Sequence, residues 1–420
     1  MTQARGWRAR LRANPAWLYL AALGPGLVAA AAGNDAGGIT TYATVGAKYG
    51  YQLLWAMLLI IISLGLVQEM CARMGAVTGK GLSDLIRERF GVRWAAFATV
   101  ALLIANTGTT ITEFVGIGAA SEIIGIPRWI AVPLMAVLVW RLVTLGSYGR
   151  LEKIFLAMTA GFFSYFIAVF LAHPHWDEVL HSTVTPTFSS DPGFLFNFVA
   201  LIGTTITPYI QLYTQSSVVE KGVTPSDYRF ERFEVLAGVL LSSLVSSAII
   251  IATGAAVFAV KGPTTITTAS DAAQALVPVA GDYAKYLFAV GLFGASMLAA
   301  AVLPLSTSYA VTESIGFERG VSFSFRDAPV FVGLFTFLVA LGAVVAMLPN
   351  LPIVTLILVV QVIDGVLLPV ELFFIMRLIN DKQIMGRYTN GRLYNAVAMV
   401  AVVGITLAVG LMLATLPFSG

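Results

Sequence analysis

The residues with the most evident chemistry sit where a carboxylate is least at home. Ala32 to Thr41 reads AGNDAGGITT and lies in the middle of an apolar run from about Trp17 to Val45. A run of that length can cross a bilayer, which needs about 20 apolar residues. Its centre nevertheless carries Asn34, Asp35 and the pair Gly37 and Gly38. A charge at membrane depth costs roughly 2.5 kcal/mol or more, so it tends to mark a pathway or a site. Two adjacent glycines weaken the helix beside it. A helix unwound at mid-membrane exposes backbone carbonyls, and with Asp35 these would form an oxygen site for a cation. The plainer alternative is a kinked helix whose Asp is satisfied by a neighbour.

A second interruption has the same character. The segment LIGTTITPYIQLY places Pro208 after the hydroxyls of Thr204, Thr205 and Thr207. Proline removes a backbone donor and clashes with the preceding turn, which breaks a helix. An ordinary membrane-helix kink would also explain Pro208. Paired interruptions at matching places in two halves of a chain point instead to a transport site.

The elements that must position these residues follow from hydropathy. The chain of 420 residues is 58% hydrophobic and 11% charged, against about 25% charged in soluble domains. It reads as an all-α integral membrane protein with eleven transmembrane helices, at about 17–46, 50–74, 95–123, 127–146, 151–172, 193–220, 230–260, 282–314, 328–347, 351–378 and 393–416. Arg5, Arg8, Arg10 and Arg12 before an apolar run mimic a signal peptide; the stretch is read as an uncleaved first helix. With residues 1–16 cytoplasmic, every Lys and Arg except Lys48, Arg128, Lys261 and Lys285 falls inside, as the positive-inside rule requires. This predicts a multi-pass protein of the inner (plasma) membrane. Ten core helices plus one suggest two five-helix repeats of inverted topology, 17–172 and 193–378, with helix 11 at 393–416 added. Cys71 is the single cysteine, so no intrachain disulfide forms.

These motifs resemble the NRAMP divalent-metal transporters, and most of all their magnesium-transporting branch. The family's Asp-Pro-Gly-Asn on helix 1 corresponds to Asp35-Ala36-Gly37-Gly38. CARMGAVTGKGLSDLIRERFG, Cys71 to Gly91, is the most specific match. Glu113, Gly116 and Gly125-Ile126-Pro127 match on helix 3, Gly203 to Tyr209 on helix 6, and Gln361 with Leu368-Pro369 on helix 10. The resemblance spans about residues 20 to 380. It implies a LeuT-like inverted repeat of five plus five helices with helices 1 and 6 broken. It also implies a metal site of Asp35, Gly38, Thr204, Thr207 and Gln361, with Asn34, Glu113, Tyr209 and Asp364 beside it or along the pathway.

The departures from the family pattern carry the finer expectation. Thr207 stands where the family has a methionine, replacing a soft ligand with a hard oxygen. Gly38 stands for an asparagine, which removes a ligand and is read as leaving space. A roomier, all-oxygen site suits Mg²⁺, which usually keeps several waters. The family's helix 6 histidines fall at Tyr209 and Thr214, and an acidic residue of helix 3 at Thr110. Without a histidine titrating near neutral pH the proton route is largely missing, although Glu113 remains. Asp364, three residues after Gln361, shares its helix face. Glu313 and Glu371 read as interfacial and structural, Glu69 as an i,i+4 partner of Arg73, and His173, His175 and His181 as a solvated outer loop.

The expectation is therefore a secondary transporter importing Mg²⁺ and also Mn²⁺, partly hydrated and without obligatory proton coupling. The alternative is a proton-coupled Mn²⁺/Fe²⁺ importer of the conventional type. An amino-acid carrier of similar fold is disfavoured because Asp35 would repel a substrate carboxylate. A membrane enzyme or receptor on such a scaffold is the remaining class. No P-loop, HExxH or dinucleotide fingerprint occurs, and the basic segments are explained by topology rather than nucleic acid. No cofactor and no obligatory protein partner are implied, only the bilayer and the transported ion.

Overall fold

The computed structural model describes residues 32–144, 163–266, 284–318, 325–349 and 352–415. The N-terminal segment and most of the first half of helix 1 lie outside the described residues. Fifteen α-helices are numbered along the chain. The first five are α1 Ala36–Tyr49, α2 Leu54–Thr78, α3 Leu82–Phe90, α4 Val92–Ile123 and α5 Arg128–Thr144. Next come α6 Phe163–Ala172, α7 Trp176–Val184, α8 Pro192–Thr205 and α9 Pro208–Lys221. α10 is Tyr228–Thr253, continued through a π-helical turn Gly254–Phe258 to Lys261. The rest are α11 Ala284–Ile315, α12 Pro329–Ala346, α13 Ile353–Ile379, α14 Lys382–Met385 and α15 Arg392–Thr415.

Among the described residues, eight helical spans are long and apolar enough to cross a membrane. Each of the eleven expected segments contains helix. α6 abuts undescribed residues, and α5 has 17 residues. Three short helices, α3, α7 and α14, fall between the expected segments, because hydropathy does not resolve helices so brief.

Both expected breaks are present, with different causes. At the sixth segment Ile206 (φ −110°, ψ 51°) and Thr207 (φ −63°, ψ 137°) leave the helical region, and Pro208 opens α9. Proline at the first helical position needs no hydrogen-bonded N–H, so it starts a helix as readily as it ends one. At the first segment the non-helical residues are Gly33 to Asp35, and Asp35 is extended (φ −70°, ψ −177°). Gly37 and Gly38 lie inside the first turn of α1 and are helical. Asp35 as an N-cap, rather than the glycine pair, sets the end of the break.

Close backbone approach holds these pieces together. A Cβ on Gly203 of α8 would run into the Gln361 carbonyl and Gly365 of α13. A Cβ on Gly116 of α4 would meet Ala36 Cβ at 2.6 Å and Ser296 Oγ at 2.5 Å. On the other side of α1, Gly46 abuts Thr253 and the Ile250 carbonyl of α10, where the π-helical turn begins.

The segments bearing Arg73, Arg89 and Asp381 meet at one end of the bundle. Arg89 pairs with Asp381 at 2.6 Å, and Glu69 takes Arg73 at 3.2 Å and Tyr394 at 2.6 Å. The i,i+4 pairing of Glu69 with Arg73 is as the spacing predicts. His175 and His181, by contrast, belong to α7 or its cap rather than to a loop, though all three histidines are exposed.

Candidate cation site

The site is built from the two breaks and the straight helices α4 and α13 beside them. Asp35 is fully buried. Its Oδ1 accepts the Gly38 N–H at 2.6 Å, capping α1. Its Oδ2 has no hydrogen-bond partner among the described residues. The next free amide of the same turn, Ala36 N–H, donates to Glu113 Oε2 of α4 at 3.0 Å. Gly116, three residues on and so on the same face of α4, is what lets Glu113 come that close.

Asn34 faces the other way. Its Nδ2 donates to the Ser242 carbonyl at 3.0 Å and Ser242 Oγ at 3.1 Å, and its Oδ1 accepts from Ser246 Oγ at 2.7 Å. The side chain is thus spent on pinning the break to α10. Two further bonds join the breaks to each other: Tyr209 donates to the Ala32 carbonyl at 2.6 Å, and the Tyr42 and Thr205 hydroxyls lie 3.0 Å apart.

The remaining polar groups are buried and unsatisfied. Thr207 occupies the N-cap of α9 without capping it. Thr207 Oγ1, Thr204 Oγ1 and both amide atoms of Gln361 have no partner among the described residues. A Cβ on Gly37 would collide with the Gln361 amide and sit 3.1 Å from Asp35 Oδ1. Gln361 and Asp35 therefore border the same glycine. Asp364 Oδ2 accepts from Thr109 Oγ1 at 3.2 Å, while its Oδ1 is unpartnered. The charge of Asp35 acts on both Glu113 and Asp364. Buried polar groups are normally paired, so this concentration at two helix breaks marks a place for something polar.

The donor set is one of hard oxygens. Among the described residues no three His, Cys, Asp or Glu side chains are arranged to hold a metal. Thr110 and Thr214, at the positions of family ionisable groups, are fully buried with unpartnered hydroxyls.

Residues 26–415 match the family model described as natural resistance-associated macrophage protein-like, Nramp. The chain belongs to this family. Over 414 residues it is 29% identical to the divalent metal cation transporter MntH of Ralstonia nicotianae, covering 91% of this chain and 88% of that protein. It is 28% identical over 392 residues to MntH 1 of Pseudomonas aeruginosa, covering 90% and 87%. The manganese transporter of Eremococcus coleocola, solved with an aromatic bis-isothiourea substituted compound, superposes with a TM-score of 0.76. It is 20% identical, and the match covers 96% of this chain and 88% of that one. The likeness fixes the fold: a multi-pass helical membrane protein of the LeuT-like type.

One reading of this Nramp chain needs correction. Gly38 does not open space: a Cβ there would lie 3.1 Å from the Gly33 carbonyl, 3.2 Å from the Tyr42 ring and 3.3 Å from Asp35 Oδ1. It has no side-chain atom to offer an ion, and its N–H serves to orient Asp35. Glu313 and Glu371, read as interfacial and structural, are buried against protein at 1% and 9% exposure, and Glu313 accepts from Ser216 at 2.7 Å. Sequence reading also missed Ser242 and Ser246. Their i,i+4 spacing in an apolar helix was a usable signal, since membrane helices use such hydroxyls to bond across to neighbours.

Proposed function

We propose that this chain carries divalent cations across the membrane, Mg²⁺ as well as Mn²⁺, at the breaks around Asp35 and Thr207. The observation that carries the reading is the set of buried, unpartnered oxygens on Asp35, Thr207, Thr204 and Gln361. One carboxylate oxygen with neutral hydroxyl and amide oxygens is the chemistry of a hard, partly hydrated cation. The set contains no thioether or imidazole, the ligands that select softer metals. Two helix breaks facing each other also fit alternating access, because each half-helix can move with its own partners. Membership in Nramp, and relatives named divalent metal cation transporters, support the cation class.

The finer part of the proposal is transport of Mg²⁺ and Mn²⁺ down their own gradient. Thr110, Tyr209 and Thr214 support it, since none of them titrates near neutral pH as a histidine does. One observation favours the conventional proton-coupled Mn²⁺ reading instead: Glu113, a second buried carboxylate, bonds the amide of Ala36, the residue next to Asp35. Uptake of Mn²⁺ into liposomes containing the purified chain, with Mg²⁺ as competitor, tests the first reading. Complete inhibition at millimolar Mg²⁺ is the expected result; no inhibition by Mg²⁺ would favour the second.

A further inference from the structure

Glu371 is the buried carboxylate that the central site leaves unused. It lies on α13 seven residues after Asp364 and ten after Gln361, a spacing of about two and three turns that keeps all three near one face. The residue is 9% exposed, and neither carboxylate oxygen has a hydrogen-bond partner among the described residues. No salt bridge within 4.0 Å is formed by it among the described residues. An isolated ionised carboxylate out of water is strongly disfavoured unless a counter-charge or water reaches it.

The surroundings supply room for both. Glu371 lines a cavity of about 50 Å³ for water centres, together with Pro208, Leu212, Ser83, Thr99 and Phe374. Pro208 follows Thr207 directly, so the cavity begins one residue from the central site. Ser83 belongs to α3, whose Arg89 reaches Asp381 at the basic end of the bundle. The lining thus runs from the helix break toward that end. The space is large enough to hold water. An octahedral Mg²⁺ that keeps about four waters has two positions left, which Glu371 and one hydroxyl of Ser83 or Thr99 can fill.

We propose that Glu371, with Ser83 and Thr99, forms a second divalent-cation station that takes the partly hydrated ion as it leaves the Asp35–Thr207 site for the basic side. The proposal rests on the transport reading above. It gives the ion a counter-charge in an otherwise apolar stretch between Leu212 and Phe374. A weak station suits this role, since an ion on a path must be able to leave. One carboxylate and one hydroxyl make a weaker set than the central site offers.

The test is equilibrium binding of radiolabelled Mn²⁺ to the purified full-length chain, alongside uptake into liposomes. Wild type binds two Mn²⁺ per chain at millimolar concentration, Glu371→Gln one, and Asp35→Ala one. In uptake, Glu371→Gln lowers the maximal rate about fivefold while the half-saturating concentration moves less than about twofold, because the central site still loads first. Glu371→Asp keeps the second ion. A wild-type count of one, or a second ion retained in Glu371→Gln, overturns the proposal. So does loss of the second ion in Glu371→Asp together with loss of thermal stability, which would mark a structural residue. If Glu371→Gln does not purify folded, the double variant Ser83→Ala with Thr99→Val is read in the same assay, and unchanged second-ion affinity in it overturns the proposal. Failure of the transport reading is seen separately, as no uptake by wild type or no ion lost in Asp35→Ala.

Discussion

The Ala36 amide gives its hydrogen to Glu113 at 3.0 Å, while Asp35, one residue earlier, takes the Gly38 amide at 2.6 Å. Two carboxylates from two helices therefore share the N-terminus of α1. The first-turn amides and the helix dipole, worth about half a positive charge, favour negative charge there. Half a charge does not balance two carboxylates with Asp364 nearby. Among the described residues no Lys, Arg or His forms an ion pair with any of the three. On the proposed reading, a divalent cation is the group that closes this balance.

The first prediction follows directly. Asp35→Ala abolishes uptake of Mg²⁺ and Mn²⁺ while the protein still purifies as a folded monodisperse species. It removes the ion's main charge. It also removes the α1 cap, which costs about 1 kcal/mol, too little to unfold a bundle of this size. Uptake by Asp35→Ala at the wild-type rate would mean that the ion binds elsewhere.

The proposed reading sets selectivity at Thr207. Thr207→Met reintroduces a soft ligand and is expected to tighten Mn²⁺ while weakening competition by Mg²⁺. Thr207→Ala and Gln361→Ala lose an oxygen contact, direct or through water, worth about 1 kcal/mol, so apparent affinity drops roughly fivefold. Ca²⁺ is larger and takes more ligands, so it competes more weakly than Mg²⁺. Competition curves for the three ions against radiolabelled Mn²⁺ uptake check all of these. A Thr207→Met protein with unchanged Mg²⁺ inhibition would take Thr207 away from the ion.

The third prediction concerns the frame. Gly203→Ala places a methyl group against the Gln361 carbonyl and Gly365, where backbone rather than a flexible side chain is in the way. Overpacking of this kind costs typically 1–3 kcal/mol. A lower unfolding temperature and weaker Mn²⁺ uptake are expected together, since the same displacement moves Gln361. Gly333, with nothing within 4 Å of its Cβ position, is the control at which alanine is tolerated. Equal stability of the two variants would contradict the close packing of α8 on α13.

Both breaks were legible in the sequence because each rests on a residue with a local effect. Pro208 cannot continue a helix, and Asp35 cannot be ignored in an apolar run. What the sequence did not carry is how each break is finished. The glycine pair looked like the weak point, but Asp35 caps the helix before it, and local capping outranks propensity over so short a stretch. The partners of Asn34 lie on α10, more than 200 residues away, and only the fold brings Ser242 and Ser246 to it. That Glu371 is buried against protein was not legible either, because hydropathy reports distance along a helix and not which side of it faces protein.

The last prediction is that uptake runs without obligatory proton movement. Coupling needs a group that changes protonation in step with metal binding and passes the proton onward. Glu113 is the candidate carrier, held by Ala36 N–H on one oxygen and 3.4 Å from the Thr112 hydroxyl on the other. Its onward neighbours on the family's route are Thr110, Tyr209 and Thr214, and Tyr209 is committed to the Ala32 carbonyl. Glu113 can hold a proton beside Asp35 without passing it on to the aqueous side. The driving force is then the ion's own gradient and an inside-negative potential, worth about 2.3 kcal/mol per charge per 100 mV and roughly twice that for a divalent ion. That is sufficient for accumulation without protons. The measurement is a pH-sensitive dye inside liposomes during Mg²⁺ or Mn²⁺ uptake at clamped potential, repeated with Glu113→Gln. A lumen whose pH stays constant, and a Glu113→Gln protein that still transports, are the expected results. Metal-dependent acidification that disappears in Glu113→Gln would establish the proton-coupled reading in its place.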